Sequence, residues 1–283
     1  MARENDRGKR ASGCRAVFIA RYCRIADPMV GRCDRFRILR YPMSLYGSES
    51  RNDEIVKPQI SDGAVEALKW VGLVVMTVDH VDKYLWNGTQ MWLFAAGRLA
   101  LPIFVCVLGW NLARPGTLER GAYGRTMWRL GVCGMLATPA FVGLGGLWCW
   151  WPGNVMFTLL VLTGTLYLLE RGRRVQAAAV FLLGGSVVEF WWPGVGLGVA
   201  AWWYGRGGEG KAVALGLGSL VALGGVNGNA WALAVVPVAA AVIWMGVRVP
   251  RWRWVFYAYY PLHLAAIWLI RIPMRKAGYL FFY

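Results

Sequence analysis

Acidic side chains, histidines and closely spaced cysteines are all scarce in this 283-residue chain, and each shortage removes a class of protein. Only 15 Asp and Glu stand against 31 Lys and Arg, and charged residues make up 16% of the total. A soluble domain carries roughly a quarter. There are two histidines, His80 and His263, and six cysteines, Cys14, Cys23, Cys33, Cys106, Cys133 and Cys149, with no CxxC pair. That composition argues against a zinc site and against a disulfide framework, and no metal is expected. The apolar run at 17–20 is too short for the core of a signal peptide.

What is abundant is apolar: 57% of the residues are hydrophobic, with 17 Trp and 36 Gly. A soluble core of this size could not hide so many apolar side chains, whereas lipid accepts them. From residue 64 onward, apolar runs recur at about 64–86, 91–113, 126–145, 153–170, 174–191, 192–205, 211–227, 229–246 and 254–271. Most approach the ~17–25 residues that cross a hydrocarbon core, and backbone at that depth is satisfied only in helices. The expected fold is an all-α, polytopic integral membrane protein of about nine transmembrane helices over 64–271, with a C-terminal tail at 272–283. Glycines such as Gly194, Gly196 and Gly198 suit close helix approach.

The net charge of +16 follows topology rather than nucleic acid, which is not an expected partner. Residues 1–63, with Arg at 3, 7, 10, 15, 21, 24, 32, 35, 37 and 40, have neither helical nor strand periodicity and read as a disordered, basic, cytoplasmic tail. Met43 is an alternative start, upstream of which native translation is not expected. Arg114, Arg120 and Arg125, then Arg171, Arg173 and Arg174, then Arg206 and Lys211, then Arg248, Arg251 and Arg253 fill every second loop. This is the positive-inside pattern, and it puts the N-terminus in the cytoplasm. Arg271, Arg275 and Lys276 then fall on the wrong side, so the last span is expected to re-enter or the count to be off by one.

An ionisable group at membrane depth costs about 2.5–3.5 kcal/mol on insertion scales, so it calls for a partner or a role. The spans hold few: Asp79 and His80 in the first, Arg98 in the second and His263 in the last, with Glu189 near a helix end. His80 lies about 9 Å from the outer end of its span, and Arg98 and His263 fall at a similar level. One aqueous pocket is expected to contain them. Neighbours on a helix diverge by about 100°, so Asp79 is expected to pair across helices with Arg98, either organising the pocket or locking two helices together. Pro102 removes the hydrogen bond to the Arg98 carbonyl and is expected to kink the span there. His80 can exchange a proton near neutral pH. His263, flanked by Tyr259, Tyr260 and Pro261, either faces the pocket or is a packed histidine bonding a nearby carbonyl. Asn154 is either an oxyanion donor or a helix cap.

Leu68-Lys69-Trp70 and Met76-Thr77-Val78-Asp79-His80 open a series of short motifs. Gly97-Arg98-Leu99-Ala100-Leu101-Pro102-Ile103-Phe104, Asn154-Val155-Met156-Phe157-Thr158-Leu159 and Tyr259-Tyr260-Pro261-Leu262-His263-Leu264 follow in order. Together they resemble the TraX family from about residue 65 to 271. The resemblance implies an inner-membrane acetyltransferase that uses acetyl-CoA, the family's named example acetylating the N-terminal amine of F-type pilin. It also implies a distant similarity to the membrane acyltransferase-3 family, in which a basic residue, ten residues and a His occupy the first span. Lys69 and His80 have that spacing, with Lys where those relatives usually have Arg. Eleven residues turn about 1100°, so both side chains share one face about 16 Å apart.

Under this reading Lys69 meets a coenzyme A phosphate, His80 is the general base, Asp79 and Arg98 organise the pocket, and His263 orients or protonates the leaving thiolate. Asn154 and Tyr260 lie on the substrate. The acceptor is an amine or hydroxyl on a protein, pilin included, or on a glycan. Two rivals use the same residues differently: a proton-coupled transporter, which would favour matched halves that the sequence does not display, and a non-catalytic membrane scaffold.

Overall fold

The computed structural model describes residues 60–145, 151–247, 249–252 and 254–281; nearly all of the expected basic tail, with the alternative start Met43, lies outside them. Helices follow one another as α1 (Asp62–Leu85), α2 (Met91–Gly97), α3 (Ala100–Ala113), α4 (Ala122–Gly145) and α5 (Val155–Glu170). Then come α6 (Arg174–Ala179), which runs into a π-helical turn (Val180–Gly184), α7 (Trp191–Gly205) and α8 (Glu209–Asn227). A 3₁₀ turn (Trp231–Ala234) leads into α9 (Val235–Met245), and α10 (Val255–Lys276) closes the series. No strand forms among the described residues beyond one isolated bridge, Gly153 with Val188.

Four stretches are long and apolar enough to cross a bilayer: Met91–Ala113, Ala122–Gly145, Glu209–Asn227 and Val255–Lys276. The all-helical membrane class therefore holds, but nine full crossings do not follow. Val155–Glu170, Arg174–Gly184 and Trp231–Met245 are apolar yet short. α1 has 24 residues, about 36 Å of helix, but Glu66, Lys69, Asp79, Asp82 and Lys83 break its apolar character.

Local chemistry sets the boundaries. Ser61 accepts a hydrogen bond from the Ala64 N–H and starts α1. The helix of the second apolar run breaks at Arg98–Leu99, between α2 and α3. Pro102 lies four residues beyond Arg98 and has no N–H to offer its carbonyl, which is why the break falls there. α10 is continuous through Pro261 and reaches Lys276, past the expected boundary at 271. The last span is therefore not re-entrant. Its Arg271 is buried, donates to the Leu144 carbonyl at 2.7 Å and lies 4.1 Å from the Phe281 ring.

Small residues let the helices around the site touch. A Cβ on Gly109 of α3 would run into the Gly198 carbonyl of α7, and one on Gly97 would overlap the Asp79 side chain. Ile103, Val105, Leu162, Leu166, Val195 and Leu264 are almost wholly buried between α3, α5, α7 and α10. Trp128, Met135 and Leu136 on α4, with Leu269 and Ile270 on α10, face outward, as lipid-facing side chains do. A Gly109→Val substitution is expected to force α3 from α7 and cost about 1–3 kcal/mol. Thermal unfolding in detergent would read this as a lower midpoint than for Gly109→Ala or the unaltered chain.

Candidate active site

α1 and α10 bring the two histidines of the chain together. His80 Nδ1 lies 2.7 Å from His263 Nε2, with the ring planes within 4° of each other. His263 Nδ1 is 2.9 Å from the Tyr259 carbonyl, one turn back on its own helix. A carbonyl can only accept, so Nδ1 of His263 carries the proton and its Nε2 is the acceptor. His80 Nδ1 must then donate, and the hydrogen-bond network assigns the free lone pair to His80 Nε2. No described residue takes up that nitrogen.

The ring beneath is fixed in the same way. Thr77 gives its hydroxyl proton to the Leu73 carbonyl at 2.7 Å, so the Tyr259 hydroxyl, 2.8 Å away, donates to Thr77. The Tyr259 ring then stacks on His263 with centroids 5.1 Å apart. His263 has one nitrogen held by a carbonyl and the other by His80. It has no N–H left for a leaving thiolate, so of the two roles expected for it only orientation fits the geometry.

Asp79 turns away from His80, as the helical angle requires. Arg98 Nη2 contacts both of its carboxylate oxygens, at 3.1 and 3.3 Å. The Arg98 guanidinium also lies 4.3 Å from the Phe94 ring. The absence of a side chain on Gly97 is what lets α2 come close enough to α1 for this pair to form.

A cavity of about 650 Å³ approaches the histidines from the end of the domain where α1 and α10 begin. Six cations line it: Lys69, Arg114, Arg120, Arg125, Arg129 and Arg251. Glu66 and Asp62 pair with three of them, Lys69 at 2.7 Å, Arg251 at 3.5 Å and Arg114. Arg129 is instead stacked 4.4 Å from the Trp254 ring. A strongly positive, partly uncompensated rim favours an anionic ligand. Farther in, the wall includes Val155, Met156, Tyr259 and Tyr260. Neither histidine is part of the wall; Tyr259 and Tyr260, which pack against them, are. Tyr260 is 2% exposed, and its ring centroid is 5.5 Å from His263 and 6.5 Å from His80.

Asn154 does not take the oxyanion role. Its carbonyl oxygen caps α5 by accepting from the Met156 N–H, and its amide donates to the Gly134 carbonyl and the Thr138 hydroxyl. Both amide hydrogens are occupied, so the capping alternative describes it. Glu189, noted in the sequence only as near a helix end, belongs to the site's surroundings. Its backbone carbonyl accepts from Thr158, and Gly153 accepts from its N–H. The next two residues, Phe190 and Trp191, are left-handed at φ 62° and 45°. Such strained turns persist where surrounding structure holds them. Partial burial in this loop pushes the Glu189 carboxyl up to about 7, with Lys83, the Val155 N–H and Arg98 opposing the shift. Arg251 was legible only as a topological charge and Arg129 was not singled out; their convergence needed the meeting of α4 with the start of α10.

A helical membrane protein with a buried histidine pair behind a basic cavity is the class these features define. Residues 64–271 match the family model described as TraX protein, and the chain belongs to that family. It is 32% identical over 142 residues to Protein TraX of Escherichia coli, covering 50% of this chain and 53% of that protein. The same figures hold for Protein TraX of Escherichia coli strain K12. The chain thus spans about half the length of the curated relatives it matches. No solved structure matches it.

Two outcomes follow from this geometry. Removing either partner of the Asp79–Arg98 pair leaves a buried charge alone, so Asp79→Ala and Arg98→Ala are each expected to cost about 3–5 kcal/mol, and the double variant little more than one of them. A double-mutant cycle by unfolding in micelles measures this. Because the folded carboxyl of Glu189 holds its proton to about 7 rather than the ordinary 4.5, the folded state binds more protons than the unfolded one between those values. Its contribution to stability is greatest below the lower value and is lost as pH rises toward the upper one. The melting-temperature difference between the unaltered chain and Glu189→Gln should drift across that window and level off above it.

Proposed function

We propose that this protein is a membrane-embedded acyltransferase that moves an acetyl group from acetyl-CoA to an amine or hydroxyl. The observation that carries the reading is the His80–His263 contact, which leaves one unprotonated imidazole nitrogen just behind the floor of a basic cavity.

Coenzyme A presents phosphates at one end and a thioester at the other, and the cavity has matching ends. Lys69, Arg129 and Arg251 meet the phosphates at the rim. The pantetheine arm extends along α1 toward His80, about 16 Å from Lys69. The acceptor approaches from the opposite end, near Glu189. His80 Nε2 takes the acceptor's N–H or O–H proton as the acceptor attacks the thioester carbonyl. The C–S bond then breaks, and the imidazolium returns the proton to the departing thiolate. His263 holds the attacking base in one tautomer, while Asp79 and Arg98 join α1 to the following helix.

The resemblance to the family supplies a pilin N-terminus as the acceptor to try first. The basic loops support an inner-membrane location with the cavity rim and the N-terminus on the cytoplasmic side. In nanodiscs supplied with labelled acetyl-CoA and an amine-bearing peptide, His80→Ala is expected to lower transfer by about 10²–10⁴-fold. Lys69→Glu should weaken acetyl-CoA binding about tenfold, or 1.4 kcal/mol. Equal transfer by His80→Ala and the unaltered protein would end the proposal, and solute flux through sealed liposomes would point to a transporter instead.

A further inference from the structure

With both Asn154 amide hydrogens occupied, the acyl-transfer reading lacks a donor for the negative charge that grows on the thioester oxygen. One buried side chain in the cavity has an uncommitted proton. The Tyr260 side chain is 2% exposed, and no described residue accepts the proton of its hydroxyl. Val155, Met156 and Tyr260 all line the cavity, and Tyr260 packs edge-on against both histidine rings. Val155 is the first residue of the 16-residue α5, so the positive end of that helix lies at the same point.

We propose that Tyr260 is a catalytic residue whose hydroxyl donates a hydrogen bond to the oxyanion of the tetrahedral intermediate formed beside His80. The assignment rests on the acyl-transfer reading and adds to it the group that stabilises the intermediate. A neutral phenol can donate its O–H to an oxyanion, and its burial removes water that would compete. No proton is transferred in this step. The phenol keeps its hydrogen throughout, the electron pair collects on the former carbonyl oxygen, and it returns when the C–S bond breaks.

Tyr260→Phe preserves the packing and removes only the hydroxyl. It is expected to lower kcat by about 10²–10³-fold, with acetyl-CoA binding within a factor of about two of the unaltered protein. Transfer by Tyr260→Phe within about threefold of the unaltered protein, while His80→Ala is inactive, would overturn the oxyanion role and leave acyl transfer standing. If His80→Ala is also fully active, the acyl-transfer reading itself falls. Should Tyr260→Phe lose acetyl-CoA binding, Tyr260→Gln and Tyr260→Leu replace it as a pair of similar size. Higher kcat for the glutamine variant, which carries an N–H donor, supports the role; equal kcat for both overturns it.

Discussion

A 2.7 Å contact between two imidazoles fixes how the first and last helices of this domain must meet. Its partners are 183 residues apart, and it forms only if α1 and α10 lie side by side at one depth. Each neighbouring hydrogen bond narrows the arrangement further. The Tyr259 carbonyl sets the proton on His263, His263 sets the proton on His80, and the Tyr259 hydroxyl ties α10 to Thr77 of α1. In water such bonds compete with solvent and are worth little individually. In a low-dielectric interior the same set specifies one rotamer and one tautomer for each ring. The chemistry proposed for His80 depends on that specification, because the alternative tautomer would turn its free nitrogen from a base into a donor.

The ionic parts of the domain divide into two tasks. Asp79 and Arg98 satisfy each other and join α1 to α2, with Gly97 providing the closeness. A pair of this kind compensates for its own burial and leaves no net charge to attract a ligand. The cavity rim is the opposite case: Glu66 and Asp62 pair with only three of its six cations, so the excess charge persists. Like charges held close are unfavourable until an anion arrives. A rim of this kind therefore gains from binding an anion.

The sequence made the site legible through scarcity. In a chain that places ionisable groups so sparingly inside its apolar runs, Asp79, His80, Arg98 and His263 had to be explained, and the helical rise put them in one layer. The Asp79–Arg98 pairing followed from the 100° between neighbouring residues, and the break at Arg98–Leu99 followed from Pro102. Three things were not legible. Asn154 suited an oxyanion donor by residue type, and only its partners Gly134 and Thr138 disclosed that it was occupied. Arg251 read as a loop charge and Arg129 went unnoticed within an apolar run, because their convergence depends on tertiary packing. Nine full crossings are not confirmed, because the apolar content of α9 says nothing of its 11-residue length.

α1 shows why hydropathy and site detection pull against each other in this protein. It is as long as α4, yet it falls outside the apolar class because it carries Glu66, Lys69 and Asp79. Several buried polar atoms without a protein partner sit on or against it, including Glu66 Oε2, Trp70 Nε1 and Arg98 Nε. In hydrocarbon each such atom would cost several kcal/mol, so α1 is stable only where protein, water or ligand surrounds it. The helices packed against it, α2, α3, α9 and α10, supply that surrounding, while the cavity gives the polar face of α1 a route to water. Topology and the proposed function thus place one requirement on the fold: the least lipid-soluble helix must be enclosed, and the enclosure must stay open at the cavity rim.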